Sequence, residues 1–155
     1  MEKELLNSGK ELLLKDLCGR LPYGVRMFEI EPVNNIQSNL TLLSITNKES
    51  VICITPSGGV IGSSIDAFKP YLFPLSSMTE EQFVELKVFA DLTYEGNTLE
   101  LGEWYDNCKT LEFWLEEIPS YELIKVFDWL NKNHFDYLGL IEKGLAINAT
   151  GLNIY

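Results

Sequence analysis

Residues 69–82, Lys69-Pro70-Tyr71-Leu72-Phe73-Pro74-Leu75-Ser76-Ser77-Met78-Thr79-Glu80-Glu81-Gln82, mark a change of regime in this chain. Pro70 and Pro74 are expected to break any regular strand ladder, because proline has no N–H to contribute. A helix start follows. Either Ser77 caps it with Glu80 as the capping-box partner, or Thr79 does so with Gln82. Upstream of this stretch the chain reads as one helix and then strands. Downstream it reads as helices.

Residues 4–18 read as a helix in which Leu13 and Leu17, four apart, share a face with other leucines nearby. Ser8 and Gly9 interrupt the pattern, and the firm part starts at Ser8, with Glu11 as its capping-box partner. Gly19 is a natural helix stop, followed by Pro22. Residues 25–30 read as a strand and residues 34–39 as a polar turn. Residues 40–46 and 50–55 are β-rich runs joined by Asn47-Lys48-Glu49, which suits a hairpin. Pro56-Ser57-Gly58-Gly59 is a second turn and residues 60–65 a further strand. Together these give a small antiparallel β-meander of three to five strands.

After the capping signal a helix runs to about Asp91, with Phe83, Leu86 and Ala90 on one face and Phe89 at its edge. Residues 93–107 read either as an irregular loop or as a short hairpin. Residues 110–117 look helical. Pro119-Ser120 then opens a helix over residues 121–133, whose expected core stripe is Leu123, Ile124, Phe127 and Leu130, with Trp129 beside it. Asp136 is placed to cap a last short helix over residues 137–143, closed by Gly144. The segregation of strands from helices makes this an α+β fold: an N-terminal helix, the meander, then three to four C-terminal helices. The 155 residues suit a single domain.

Charge is unevenly placed. Between residues 79 and 122 lie 12 carboxylates against two lysines, Lys87 and Lys109, so that stretch carries −10 of the chain's −11. The rest of the chain is nearly neutral. Strong negative charge disfavours direct nucleic-acid binding, whose phosphates it repels, and favours basic protein partners. Three readings compete for the acids: solvated outer faces of amphipathic helices, a docking surface for a basic protein, or a site for a hard cation such as calcium. No EF-hand pattern accompanies the last. The candidate interaction surface is Glu80, Glu81, Glu85, Glu95, Glu103, Asp106, Glu112, Glu116 and Glu117, with Trp104 and Tyr105 as interleaved aromatic anchors and Trp114 and Tyr121 as further ones.

Other chemistry is thinly signalled. The cysteines Cys18, Cys53 and Cys108 are odd in number and far apart, so neither a disulfide framework nor a zinc site with His134 is expected. Ser57-Gly58-Gly59-Val60-Ile61-Gly62 lacks the Lys-Ser/Thr of a phosphate loop and reads as a hairpin turn. His134, the single histidine, falls at a helix end, where its ring would satisfy terminal carbonyls; a general-base role is the alternative. Carboxylate pairs such as Glu103 with Asp106, or Glu116 with Glu117, arise readily among 23 acids. No cofactor motif is present, and no apolar run approaches the length of a membrane span. The opening Met1-Glu2-Lys3-Glu4 lacks the basic region of a signal peptide, which leaves a cytoplasmic location as the expectation.

Three blocks, residues 11–25 (ELLLKDLCGRLPYGV), 69–82 (KPYLFPLSSMTEEQ) and 128–146 (DWLNKNHFDYLGLIEKGLA), cover about a third of the chain. They resemble a family of short uncharacterised proteins of gut Bacteroides-type bacteria, often associated with prophage or mobile-element regions. The resemblance implies a bacterial, cytoplasmic, accessory protein and brings no activity, cofactor or catalytic residue. Members of that family often carry Arg where this chain has Phe73, and another where it has Leu138, so a shared anion-binding surface there does not carry over.

The function expected from the residues is that of a non-enzymatic accessory protein whose acidic surface binds a basic protein. The alternatives are a small hydrolase or transferase with a site near His134, and a self-assembling subunit, a homo-oligomer burying Trp104 or Trp114.

Overall fold

Thr79 accepts the Gln82 N–H at 3.3 Å while its own N–H donates to Gln82 Oε1 at 2.9 Å, and this reciprocal cap starts the first helix after the sheet. Of the two caps the sequence offered, Thr79 with Gln82 is the one formed. In the computed structural model the described residues are 2–30, 39–46, 49–92 and 105–155, with side chains described from residue 8. The expected turn at residues 34–39, the centre of the first hairpin at 47–48, and residues 93–104 lie largely outside them.

The order is α1 (Glu2–Arg20), β1 (Arg26–Glu29), β2 (Leu40–Thr46), β3 (Ser50–Ile54), β4 (Val60–Ser64), β5 (Phe68–Pro74), α2 (Glu80–Ala90), α3 (Leu111–Glu117), α4 (Ser120–Lys132), β6 (Phe135–Asp136) and β7 (Ile147–Asn148). Short 3-10 turns at Leu21–Tyr23, Ile65–Ala67 and Leu75–Ser77 link several of these. The α+β class holds, with a mixed sheet in the order β4-β3-β2-β1-β5-β6 and β7 also paired to β5. Strands β1 to β5 are antiparallel neighbours, while β6 and β7 run parallel to β5. Two residues each, they are too short to show any alternation in the sequence.

The prolines correct an expectation. Pro70 and Pro74 do not break the ladder, because both lie within β5. Ile30 N–H donates to Ala67 O at 2.9 Å, and the alternation of an antiparallel ladder then makes Phe28–Lys69 the next hydrogen-bonded pair. Pro70, opposite Met27, is a non-bonded position whose nitrogen faces away from β1. Pro74 ends the strand. Where the β1–β5 ladder stops, the Tyr155 hydroxyl bridges it, accepting from Arg26 N–H at 3.1 Å and donating to Tyr71 O at 2.7 Å.

Gly19 does not stop α1, which continues to Arg20. A Cβ at Gly19 would lie 2.9 Å from the Asn131 side chain on α4, so this glycine permits two helices to approach. Gly24, at φ +63°, supplies the left-handed turn after Leu21–Tyr23. Residues 137–143 form bends and then turns rather than the expected helix. Asp136 holds them by accepting the Leu140 and Ile141 N–H groups at 2.9 and 2.8 Å. Three α-helices are therefore described after the sheet, with residues 105–107 forming a single helical turn.

Two cores result. One lies between α1 and the sheet, where Leu13 and Leu17 meet Met27, Leu40, Val51 and Phe68. The other lies among α2, α3 and α4, around Phe83, Trp114, Trp129 and Phe135. On α4 the buried positions are Val126, Trp129, Leu130 and Asn131. Ile124, expected in the stripe, is 72% exposed, while Leu123 and Phe127 are partly buried. Among the described residues no helix is long and apolar enough to cross a membrane.

Candidate functional site

The acids of residues 79–122 divide into groups. Glu80 and Glu81 occupy the first turn of α2, where unpaired N–H groups and the helix dipole favour negative charge. Bonds from its own backbone N–H and from the Thr79 hydroxyl hold the Glu81 carboxyl below its usual range. Glu85 is exposed one turn further on. Folding chemistry accounts for the placement of Glu80 and Glu81.

The second group is assembled by tertiary packing. Trp114 is fully buried, and its indole N–H donates to Cys108 O at 2.7 Å. The Tyr105 hydroxyl donates to Met78 O at 3.0 Å, and its ring sits 6.0 Å from that of Phe83. Thr110 accepts the Phe113 N–H at 3.4 Å and starts α3. These contacts fix residues 105–110 against α3, so that Asp106, Glu112, Glu116 and Glu117 line one open cleft of about 400 Å³ together with Asn107, Thr110 and Phe113. All four carboxylates are exposed. No lysine or arginine lines the cleft, and among the described residues no ion pair reaches any of the four. Lys109 is directed elsewhere. Its ammonium lies 4.5 Å from the Tyr105 ring centre, and it lines a neighbouring cleft of about 460 Å³ with Lys143, Glu112 and Glu142.

Position within α3 separates these acids from those of α2. Glu112 is in the first turn, which suits it. Glu116 and Glu117 are the last two residues, where the helix dipole is negative and an anion is disfavoured. The fold gains nothing visible from them there.

Of the other proposed surface residues, Glu95, Glu103 and Trp104 lie outside the described residues. Tyr105 is half-buried and used in packing. Trp114, offered as a further anchor, is a core residue, because the α2–α4 layer closes over it. Tyr121 is exposed on α4. Glu116 and Glu117, considered as an acid–base pair, are adjacent on a helix and so diverge by about 100°. Among the described residues no group of three or more His, Cys, Asp or Glu side chains is placed to hold a metal ion. Cys53 and Cys108 belong to different cores, and burial pushes their thiols up to about 12 and about 11.

His134 is buried at φ +61° after the end of α4. Its ring stacks on Tyr155 with centroids 4.0 Å apart, and Nδ1 is enclosed without a hydrogen-bond partner. Burial, then Arg20 and Arg26, lower its pKa to about 4, so the ring is neutral at pH 7. The expected caps onto helix-end carbonyls are not made by Nδ1, and His134 lines none of the clefts described here.

One buried polar pair escaped the sequence reading. Arg20, on the last turn of α1, donates through Nε and Nη2 to both Asp16 oxygens at 2.7 and 2.8 Å and through Nη2 to Phe135 O at 2.7 Å. Burial pushes the Asp16 carboxyl up while Arg20 pulls it down. The signal was present: Asp16 and Arg20 are four apart and share the face of Leu13 and Leu17.

The chain matches no protein-family model, no curated protein and no solved structure.

Proposed function

We propose that the cleft lined by Asp106, Glu112, Glu116 and Glu117 docks a basic protein segment, and that the protein acts as a non-enzymatic binding partner. One observation carries the reading: four exposed carboxylates share a cleft with no lysine or arginine, two of them at a helix end that disfavours them. Such a cleft suits an inserted arginine or lysine, with the guanidinium fork matching carboxylate geometry best. The surrounding negative charge steers the encounter, and rising salt screens it over about 8 Å at physiological ionic strength. The bacterial, mobile-element setting suggested by the sequence resemblance is compatible with this reading.

Calorimetric titration with an arginine-rich peptide tests it at low and high salt. Replacing Glu112, Glu116 and Glu117 together by Gln is expected to weaken binding about tenfold or more, since exposed pairs contribute up to about 1 kcal/mol each. The same change at Glu80, Glu81 and Glu85 alters net charge equally and should cost much less. Equal losses from both triple variants would reduce the effect to net charge and remove the cleft from the account.

A further inference from the structure

We infer that the exposed face of α4 is a homodimer interface, with a second copy of this chain laid antiparallel across it about a two-fold axis. The inference does not rest on the acidic cleft, which lies on α3. It starts from a shallow groove of about 630 Å³ whose lining includes Phe89, Ile124, Lys125, Phe127 and Asp128. Tyr121 and Ile124 are each 72% exposed on this helix, an unusual amount of apolar surface to leave to water. Lys125, Asp128 and Lys132 are exposed beside them.

The order of these residues is self-complementary. An antiparallel copy with its two-fold axis between Val126 and Phe127 sets Lys125 opposite Asp128 of the second copy, and Tyr121 opposite Lys132 of the second copy. Symmetry repeats both, giving two ion pairs beside the axis, with the Ile124 side chains next to them, and two cation–π contacts further out along the helices. The two Ile124 side chains then flank the axis about 7.5 Å apart along the helix, at 1.5 Å per residue. Within one chain, neither Lys125 nor Asp128 forms an ion pair among the described residues, although three residues apart on one helix they are neighbours. Asp128 accepts a hydrogen bond from the Tyr23 hydroxyl, which orients the carboxylate and leaves it acceptor capacity. The wider charge of −11 opposes self-association at long range. At physiological salt that repulsion is screened beyond about 8 Å, while contact-range pairs are screened less. The same face suits an acidic amphipathic peptide less well, because Asp128 stands between the two lysines.

Sedimentation equilibrium at about 150 mM salt, on the full chain up to a few hundred micromolar, tests the inference. The wild type is expected to show a monomer–dimer equilibrium. Lys125→Glu should weaken it at least tenfold, since two attractive contacts become repulsive, and Ile124→Lys should do the same. The exchange Lys125→Asp with Asp128→Lys should restore dimerisation, which a general loss of stability would not do. Far-ultraviolet circular dichroism with a thermal melt checks that each variant is folded. A wild type that stays monomeric, a dimer indifferent to Ile124→Lys and Lys125→Glu, or a monomer that takes an acidic helical peptide on this face would each overturn the inference.

Discussion

Two helices of this molecule end in opposite ways. The last turn of α1 carries Arg20, fully buried, forked onto Asp16 and bonded to the Phe135 carbonyl. The last turn of α3 carries Glu116 and Glu117, exposed and without a counter-charge among the described residues. A cation at a helix C-terminus is favourable and an anion there is not. The α1 charge is bound into the fold. The α3 charges stand against the local preference, and residues of that kind are where a binding role is to be sought.

The largest effect is expected at the α1 end. Arg20→Met leaves Asp16 buried without its partner and should cost about 3–5 kcal/mol. For a domain of this size that is on the order of 10 °C in melting temperature. Replacing both, with Asp16→Leu added, should recover much of the loss. A single variant within 1–2 °C of wild type would erase the contrast between the two ends.

The pH dependence should sharpen it. The folded-state pKa of His134 lies near 4, below the unfolded value of 6.5, so the unfolded chain binds the proton more readily. His134 therefore costs no stability above about pH 6.5, and stability falls as the pH drops from there toward 4. Urea denaturation should show about 2 kcal/mol lost at pH 5 relative to pH 7 from this group. His134→Asn, which tolerates the left-handed backbone, should flatten that part of the profile. A profile unchanged by the variant would mean that His134 is not linked to folding.

An intermediate loss is expected at the start of α2, where Thr79→Ala should cost about 1 kcal/mol through the lost cap. The smallest effect belongs to the α3 end. Glu116→Lys with Glu117→Lys should leave stability unchanged or raise it by a few tenths of a kcal/mol. A clear loss there would show that the fold does use these acids.

Much of this architecture was legible from local signals. The Thr79–Gln82 cap, the hairpin strands and the Phe83, Leu86 and Ala90 face are short-range patterns, and they form as read. What was illegible depends on partners distant in sequence. Pro70 is tolerated only because the register turns its nitrogen away from β1. Gly19 is needed because Asn131 packs on it, and Ile124 is exposed because α4 turns Val126 and Trp129 inward. Glu112 and Glu116, four apart, share one side of α3. Asp106 joins them only through the packing of residues 105–110, which no sequence period encodes.

The central claim concerns which acids meet a partner, and amide chemical-shift mapping during titration with an arginine-rich peptide locates them directly. The account predicts salt-sensitive shifts concentrated at residues 106–117, with little change at Glu80, Glu81 and Glu85. Shifts centred on the start of α2, or spread evenly over the acidic surface, would contradict it.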